Sequence, residues 1–235
     1  MTLATFMVLS ATCVLLTSCP DDPEEPSKGN DVEQLGEDEP EKNTDTKEYV
    51  DLGLPSGTLW ATCNVGAKSP EELGSLFAWG ETKPKDEYSW ETYKWCKGGQ
   101  SNWLTKYCLY SDDGEVDGKK ELDLEDDAAY VNWGPDWRMP SYEQLKELYE
   151  NCNFVETELN GVAGYRIHST TNRNYIFLPI HEFYWSRILF WGSYYYRYYS
   201  ETAATLYYGS RYSGRWELSG HSRYLGGTVR PVRNK

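Results

Sequence analysis

Apolar and polar side chains alternate in a series of short runs along this chain, with Gly, Pro, Asn and Asp gathered between them. A period of two puts successive side chains on opposite faces of an extended backbone. Residues 49–52, 59–65, 154–157, 165–168, 175–178, 203–208 and 228–232 therefore read as strands. Pro231 has no N–H to give a ladder, which places the last of these at a sheet edge. Helical signals are fewer. Ser69-Pro70-Glu71-Glu72 offers an N-cap, a proline at the first helical position and acids at the positive end of the dipole, predicting a helix that runs to Phe77. Ser141-Tyr142-Glu143-Gln144 is a capping box, and Leu145, Leu148 and Cys152 follow it at helical spacing on one face. A weaker helical stretch covers residues 125–132. Short strands, few helices and long irregular connections make this an α+β domain.

The first 18 residues break the alternation with an apolar run that ends at Cys19 and is followed at once by PDDPEEP. A spanning helix needs about 20 apolar residues. Leu16-Thr17-Ser18-Cys19 instead resembles the lipobox at which bacterial signal peptidase cuts after the thiol is lipidated. Residues 1–18 are thus read as a lipoprotein signal peptide and Cys19 as the lipidation site, and the acidic residues directly after Cys19 resemble the export signal of Bacteroidota surface lipoproteins, which implies an outer-membrane anchor with the chain exposed at the cell surface. Residues 19–48 hold 12 acidic and 3 basic side chains and almost no large apolar ones. Such a segment buries too little surface to offset its ordering entropy and repels itself, so it reads as an acidic disordered tether. It carries most of the net charge of −14, a balance that argues against a nucleic-acid partner. Residues 49–235 are enough for one domain with a substantial core.

Apart from Cys13 and Cys19 the cysteines are Cys63, Cys96, Cys108 and Cys152. An extracytoplasmic location permits two disulfides, and four cysteines allow three pairings. Cys96 with Cys108 would close a short loop and Cys63 with Cys152 would tie distant segments; four free thiols are the alternative.

Catalytic and metal signatures are sparse. His168, His181 and His221 stand at no metal-ligand spacing from one another or from a cysteine, and no nucleophile elbow occurs. Asp113, Glu115, Asp117 and Gly118 resemble the start of an EF-hand loop, but the twelfth position is Leu124 where a bidentate Glu is required, which favours a solvated turn. Asp126 and Asp127 are sequence neighbours and do not face each other across a bond, so capping or loop hydrogen bonding suits them better than glycosidase chemistry. Trp79, Trp90, Trp95 and Trp103 could form a sugar-stacking platform, but packing of core and loops is the role expected of them. No cofactor and no metal are implied.

Several motifs carry a resemblance: YVDLGLPSGTLWATCNVGA at residues 49–67, FAWGETKPK at 77–85, YSWETYKWC at 88–96, LTKYC at 104–108, LDLEDDAAYVNWG at 122–134, WRMPSYEQLKEL at 137–148, IFLP at 176–179 and VRPV at 229–232. Together they resemble the Fibrobacter succinogenes major paralogous domain family of Bacteroidota surface lipoproteins. The resemblance covers nearly all of residues 49–235 and implies a C-type-lectin-like fold, shared with formylglycine-generating enzymes, in which the first and last strands pair, here 49–52 with 228–232. It also implies a binding face built between the second helix and the final strands. The oxidase chemistry of formylglycine-generating enzymes needs a cysteine pair in the C-terminal part, and no cysteine follows Cys152.

The family pattern drifts after Ile180, where the chain reads HEFYWSRILFWGSYYYRYYSE. Residues 181–235 hold 10 of the 20 tyrosines, interleaved with Ser, Gly, His and Arg. Tyrosine gives a large, rigid, amphipathic contact at low entropy cost, and Ser and Gly let the backbone adapt. This distribution resembles the variable proteins of diversity-generating retroelements, whose C-terminal residues change through adenine-directed mutagenesis. The expected ligand contacts are Tyr194, Tyr195, Tyr196, Arg197, Tyr198, Tyr199, Tyr207, Tyr208, Arg211, Tyr212, Arg215, Trp216, His221 and Tyr224. If strands alternate there, only half can face a ligand at once. The expectation is a non-enzymatic, lipid-anchored binder of a protein or glycan ligand, with a structural envelope or fimbrial component and an enzyme on the same fold as the alternatives.

Overall fold

The alternating runs resolve into strands linked by long loops. The computed structural model describes residues 47–181, 183–192, 197–208 and 215–235, of which 189–192 and 197 are described by backbone alone. The signal peptide, Cys19 and the tether up to residue 46 lie outside the described residues. In chain order the elements are β1 (Tyr49–Asp51), β2 (Leu59–Ala61), α1 (Ala128–Trp133), α2 (Tyr142–Asn151), β3 (Cys152–Leu159), β4 (Val162–Ser169), β5 (Tyr175–Pro179), β6 (Phe183–Gly192), β7 (Arg197–Tyr208), β8 (Trp216–Ser222) and β9 (Val232–Arg233). They form three antiparallel three-stranded sheets, β1-β2-β9, β3-β4-β5 and β6-β7-β8. The α+β reading holds.

The first and last strands share a sheet but do not pair. β2 stands between them, with Val50 opposite Trp60 and Trp60 opposite Val232. All of Leu59, Trp60 and Ala61 are buried, and so apolar a strand suits the middle of a sheet. β9 takes the edge that Pro231 requires.

The three helical expectations fare differently because tertiary bonds compete for the same backbone groups. α2 forms with its capping box complete: Gln144 N donates to Ser141 Oγ at 3.1 Å, and Gln144 Oε1 accepts from Ser141 N at 2.8 Å. The helix expected after Ser69 is only a turn. In a helix Phe77 N–H would bond Leu73 C=O, but here it donates to Gly227 O at 2.9 Å, while Leu73 O accepts from Asn64 Nδ2 at 2.9 Å. Gly74 is locked at φ +75°, where a Cβ would sit 2.4 Å from Val65 O, so the chain is shaped to the neighbouring loop instead. The helical stretch near residue 125 splits at Asp127 into a 3-10 turn at Leu124–Asp126 and α1. Asp127 caps α1, its carboxylate accepting from Ala129 N at 2.9 Å and Tyr130 N at 3.0 Å, and it also accepts from Met139 N.

The sheet of β6, β7 and β8 is covered on both faces. Tyr184, Leu206 and Trp216 enter one apolar cluster with Leu145 and Leu148 of α2 and Ile167 of β4. Phe183, Trp185 and Ala203 enter another, with Phe77, Trp79 and Tyr107 from the loops. A strand buried on both faces shows no clean alternation. That is why β6, where Phe183, Tyr184, Trp185 and Ser186 are all buried, escapes the period-two reading.

Candidate functional site

The described tyrosine-rich residues lie in and around β7, which pairs with β6 on one side and β8 on the other. The chain leaves β6 at Gly192 and enters β7 at Arg197, paired across the ladder; it leaves β7 at Tyr208 and enters β8 at Trp216, also paired. β7 has 12 residues, which at about 3.3 Å each separates its ends by roughly 36 Å. Among the described residues, Tyr198 and Tyr199 stand at one end of β7 and Tyr207, Tyr208, Arg215 and Trp216 at the other, so these expected contacts do not make one face.

At the β6–β7 end, Tyr198 and Tyr199 are half-buried. Lys120 Nζ lies 4.5 Å over the Tyr198 ring, and Ser200 Oγ accepts from Leu109 N at 3.1 Å. Arg197 is described by backbone alone, and Tyr194, Tyr195 and Tyr196 lie outside the described residues.

At the other end Tyr207 and Tyr208 are half-buried and Arg215 is exposed, while Arg211 and Tyr212 lie outside the described residues. Trp216 is a core residue, only 3% exposed, so it cannot act as the contact expected of it. Its ring packs 5.8 Å from Phe154, 5.6 Å from Tyr165 and 5.5 Å from Tyr208. Burial, and then the adjacent Tyr208 hydroxyl, push the Tyr165 phenol up and keep it protonated.

His221 lies opposite Ala203 on β8. Its ring stacks on Phe183 at 4.5 Å and 18° and packs on Tyr207 at 4.8 Å, and its Nδ1 hydrogen-bonds Thr205 Oγ1 at 2.9 Å. These contacts fix the ring within the sheet. Tyr224 is set apart again, its ring 4.9 Å from Trp90 in a third apolar cluster.

The acidic loops bind mainly their own chain. The Asp117 carboxylate accepts from Tyr107 N at 2.8 Å, Cys108 N at 2.9 Å and Lys119 N at 3.1 Å, so it serves its own turn. Asp123, Glu125 and Asp126 bring carboxylate oxygens close enough to hold a cation. Lys106 Nζ already sits among them, at 2.7, 3.5 and 2.6 Å respectively. Buried Asp126 also accepts from the Tyr107 hydroxyl at 2.7 Å and pairs with Lys94 at 3.1 Å. The hydrogen-bonding roles expected of Asp126 and Asp127 are thus the ones they play.

Trp79 and Trp95 pack as expected and donate to backbone carbonyls, Ser186 O at 2.8 Å and Gly80 O at 2.9 Å. Trp90 joins them in packing, whereas Trp103 is exposed.

Cys63, Cys96, Cys108 and Cys152 are free thiols, so neither suggested pairing forms. Cys96 and Cys108 turn instead to local carbonyls, Gln100 O at 2.9 Å and Tyr110 O at 3.2 Å. Cys152 is buried beside α2, where burial pushes its thiol up to about 11.

Two arginines that periodicity does not single out organise this region. Arg223 is fully buried, donating from Nε to the Tyr93 hydroxyl at 2.9 Å, from Nη1 to Ser200 O and Tyr107 O, and from Nη2 to Lys106 O. Arg230 is as deeply buried and joins Asn64 Oδ1, Ala61 O, Thr62 O and Phe177 O. The Arg230 of the VRPV motif was the available signal; nothing in the local sequence says which carbonyls it meets.

Comparison of the chain with known protein families, curated proteins and solved structures finds no match.

Proposed function

We propose that this chain is a surface-anchored lipoprotein whose C-type-lectin-like domain binds a protein or glycan through the tyrosine-rich turns of its central sheet. One observation carries the reading: tyrosine-rich segments flank both turns of a sheet whose faces are buried on either side. Packing a strand on both faces fixes its backbone, and a fixed strand holds its end residues at low entropy cost to a ligand. The resemblance of the framework segments to the major paralogous domain family supports the lectin-like assignment and the lipid anchor. The drift after Ile180 supports diversification at the turns.

Because the two ends are roughly 36 Å apart, each is treated as a separate contact surface. Arrays of glycans and of candidate surface proteins, probed with the purified chain, supply the ligand. Tyr198→Ala with Tyr199→Ala tests one end, and Tyr207→Ala with Arg215→Ala tests the other. Binding lost at one end with an unchanged melting temperature supports the reading; parallel loss of binding and stability would show the rings to be packing. Sequencing the 3′ end of the gene across a cell population tests diversification, which requires substitutions confined to codons 181–224 and tracing to template adenines.

A further inference from the structure

A cleft of about 270 Å³ opens where the segment after α1, the start of α2, β6 and β9 converge, and its walls include Asp136, Arg138, Gln144, Arg187 and Arg233. Three guanidinium groups gather there in a chain whose net charge is −14. Like charges repel, so each must be held by something other than the others.

Neutral contacts do much of that work. Arg138 donates from Nη1 to Pro135 O at 2.9 Å and Trp137 O at 2.6 Å, and lies 4.3 Å over the Tyr130 ring. Its backbone is clamped to β9 in both directions, N to Val232 O at 3.0 Å and O from Val232 N at 2.9 Å. Arg187 donates from Nη1 to Met139 O at 2.9 Å and Gln144 Oε1 at 3.2 Å, and from Nε to Glu121 at 2.5 Å. Arg233 is positioned by rings, 5.3 Å over Tyr49 and 5.6 Å over Trp137. Its nearest carboxylate, Asp136, stands off at 3.8 Å, and its shielded Nε donates to no atom.

Arg187 is paired with Glu121, whereas carbonyls and aromatic faces orient Arg138 and Arg233 with no carboxylate among the described residues closer than Asp136 at 3.8 Å, so N–H edges of these two remain for an incoming acceptor. We propose that the cleft is an oxyanion site that takes a carboxylate, sulfate or phosphate group carried on a small molecule or glycan. The planar fork of arginine matches such groups bidentately. A volume of about 270 Å³ lies at the small end of ligand pockets, sized for an anionic group and one ring beside it. Asp136 is the competitor, a carboxylate already leaning toward Arg233 that an incoming anion must displace or outbid.

The test is an NMR titration of the arginine Nε–H resonances of the purified chain with sodium sulfate, phosphate and acetate, each matched in ionic strength with sodium chloride. The expected result is saturable movement of the Arg233 signal with the oxyanions beyond that with chloride. Arg233→Gln should weaken the affinity by about tenfold. Asp136→Asn should tighten it several-fold, a change of opposite sign that no loss of folding can imitate. Shifts that rise linearly with salt, or an Asp136→Asn protein whose affinity is unchanged or weaker, would overturn the proposal.

Discussion

Arg223 and Arg230 on one side, and the tyrosines of β7 on the other, lie within the same C-terminal quarter and use polar side chains in opposite ways. The arginines are fully buried, and among the described residues neither has a carboxylate within ion-pair distance; backbone carbonyls and neutral oxygens take up their donors. Tyr198, Tyr199, Tyr207 and Tyr208 are half-buried and sit at strand ends. A charge inside a protein is tolerated only if its hydrogen bonds are complete, which fixes every group around it. A half-buried ring at a strand end carries no such obligation. The frame is therefore intolerant of change where it is charged, and the turns are tolerant where they are aromatic.

The largest effect expected from this contrast is at Arg230. Arg230→Met leaves Ala61 O, Thr62 O, Phe177 O and Asn64 Oδ1 without their donor and should cost about 4 kcal/mol of stability, read from urea denaturation. Tyr198→Ala, by contrast, should cost about 1 kcal/mol or less. Equal losses would abolish the distinction between frame and turn. Trp216 sharpens it next. Although it stands in the tyrosine-rich stretch, Trp216→Ala should cost about 3 kcal/mol, as a core truncation does, and should not alter ligand preference.

Much of the frame is legible in the sequence, and the reasons for the failures are physical. α2 announces itself because its capping box satisfies its own N-terminus, a local device that needs nothing from the rest of the chain. The Ser69 helix has equally good local signals and fails because Asn64 and Gly227 take the backbone groups it needs, from 9 residues away in one case and far along the chain in the other. β6 is hidden for another reason: two-sided burial of Phe183 to Ser186 erases the alternation that marks a strand. The aromatic composition of residues 181–235 is visible at once, but composition does not reveal that one twelve-residue strand divides it. A reading of RYYSETAATLYY as a single long strand would have separated the two ends.

A test of how tightly the central sheet packs on α2 comes from Cys152, which shares a cluster with Trp216. With its thiol pushed from 9.0 up to about 11, its thiolate fraction near pH 8 falls about a hundredfold. Alkylation in the native state should be at least that much slower than after unfolding, and mass mapping without reductant should find no bridge between Cys63, Cys96, Cys108 and Cys152. Fast native alkylation at Cys152 would mean that the sheet opens there.

The smallest effects concern two aspartates four positions apart that titrate in opposite directions. Burial raises Asp127 above its ordinary 3.8, outweighing the N–H groups of Tyr130, Met139 and Ala129 that favour its charged form. Its folded state thus binds a proton more readily than its unfolded state, so its contribution to stability is complete below 3.8 and is lost as pH rises through the folded value. Asp123 is lowered below 3.8 by Lys106 and then Lys119, so its contribution is complete above 3.8 and is lost as pH falls through its folded value. Urea midpoints measured against pH should show wild type losing ground to Asp127→Asn as pH climbs from 3.8, and losing its advantage over Asp123→Asn as pH drops below it. The Asp123 effect should be the weaker, because its ion pairs are partly open to solvent and are screened by salt. Parallel curves for the two variants would mean that Asp127 is not desolvated in solution, and with it that the loop packed against α1 is looser than the arginine-bound frame requires.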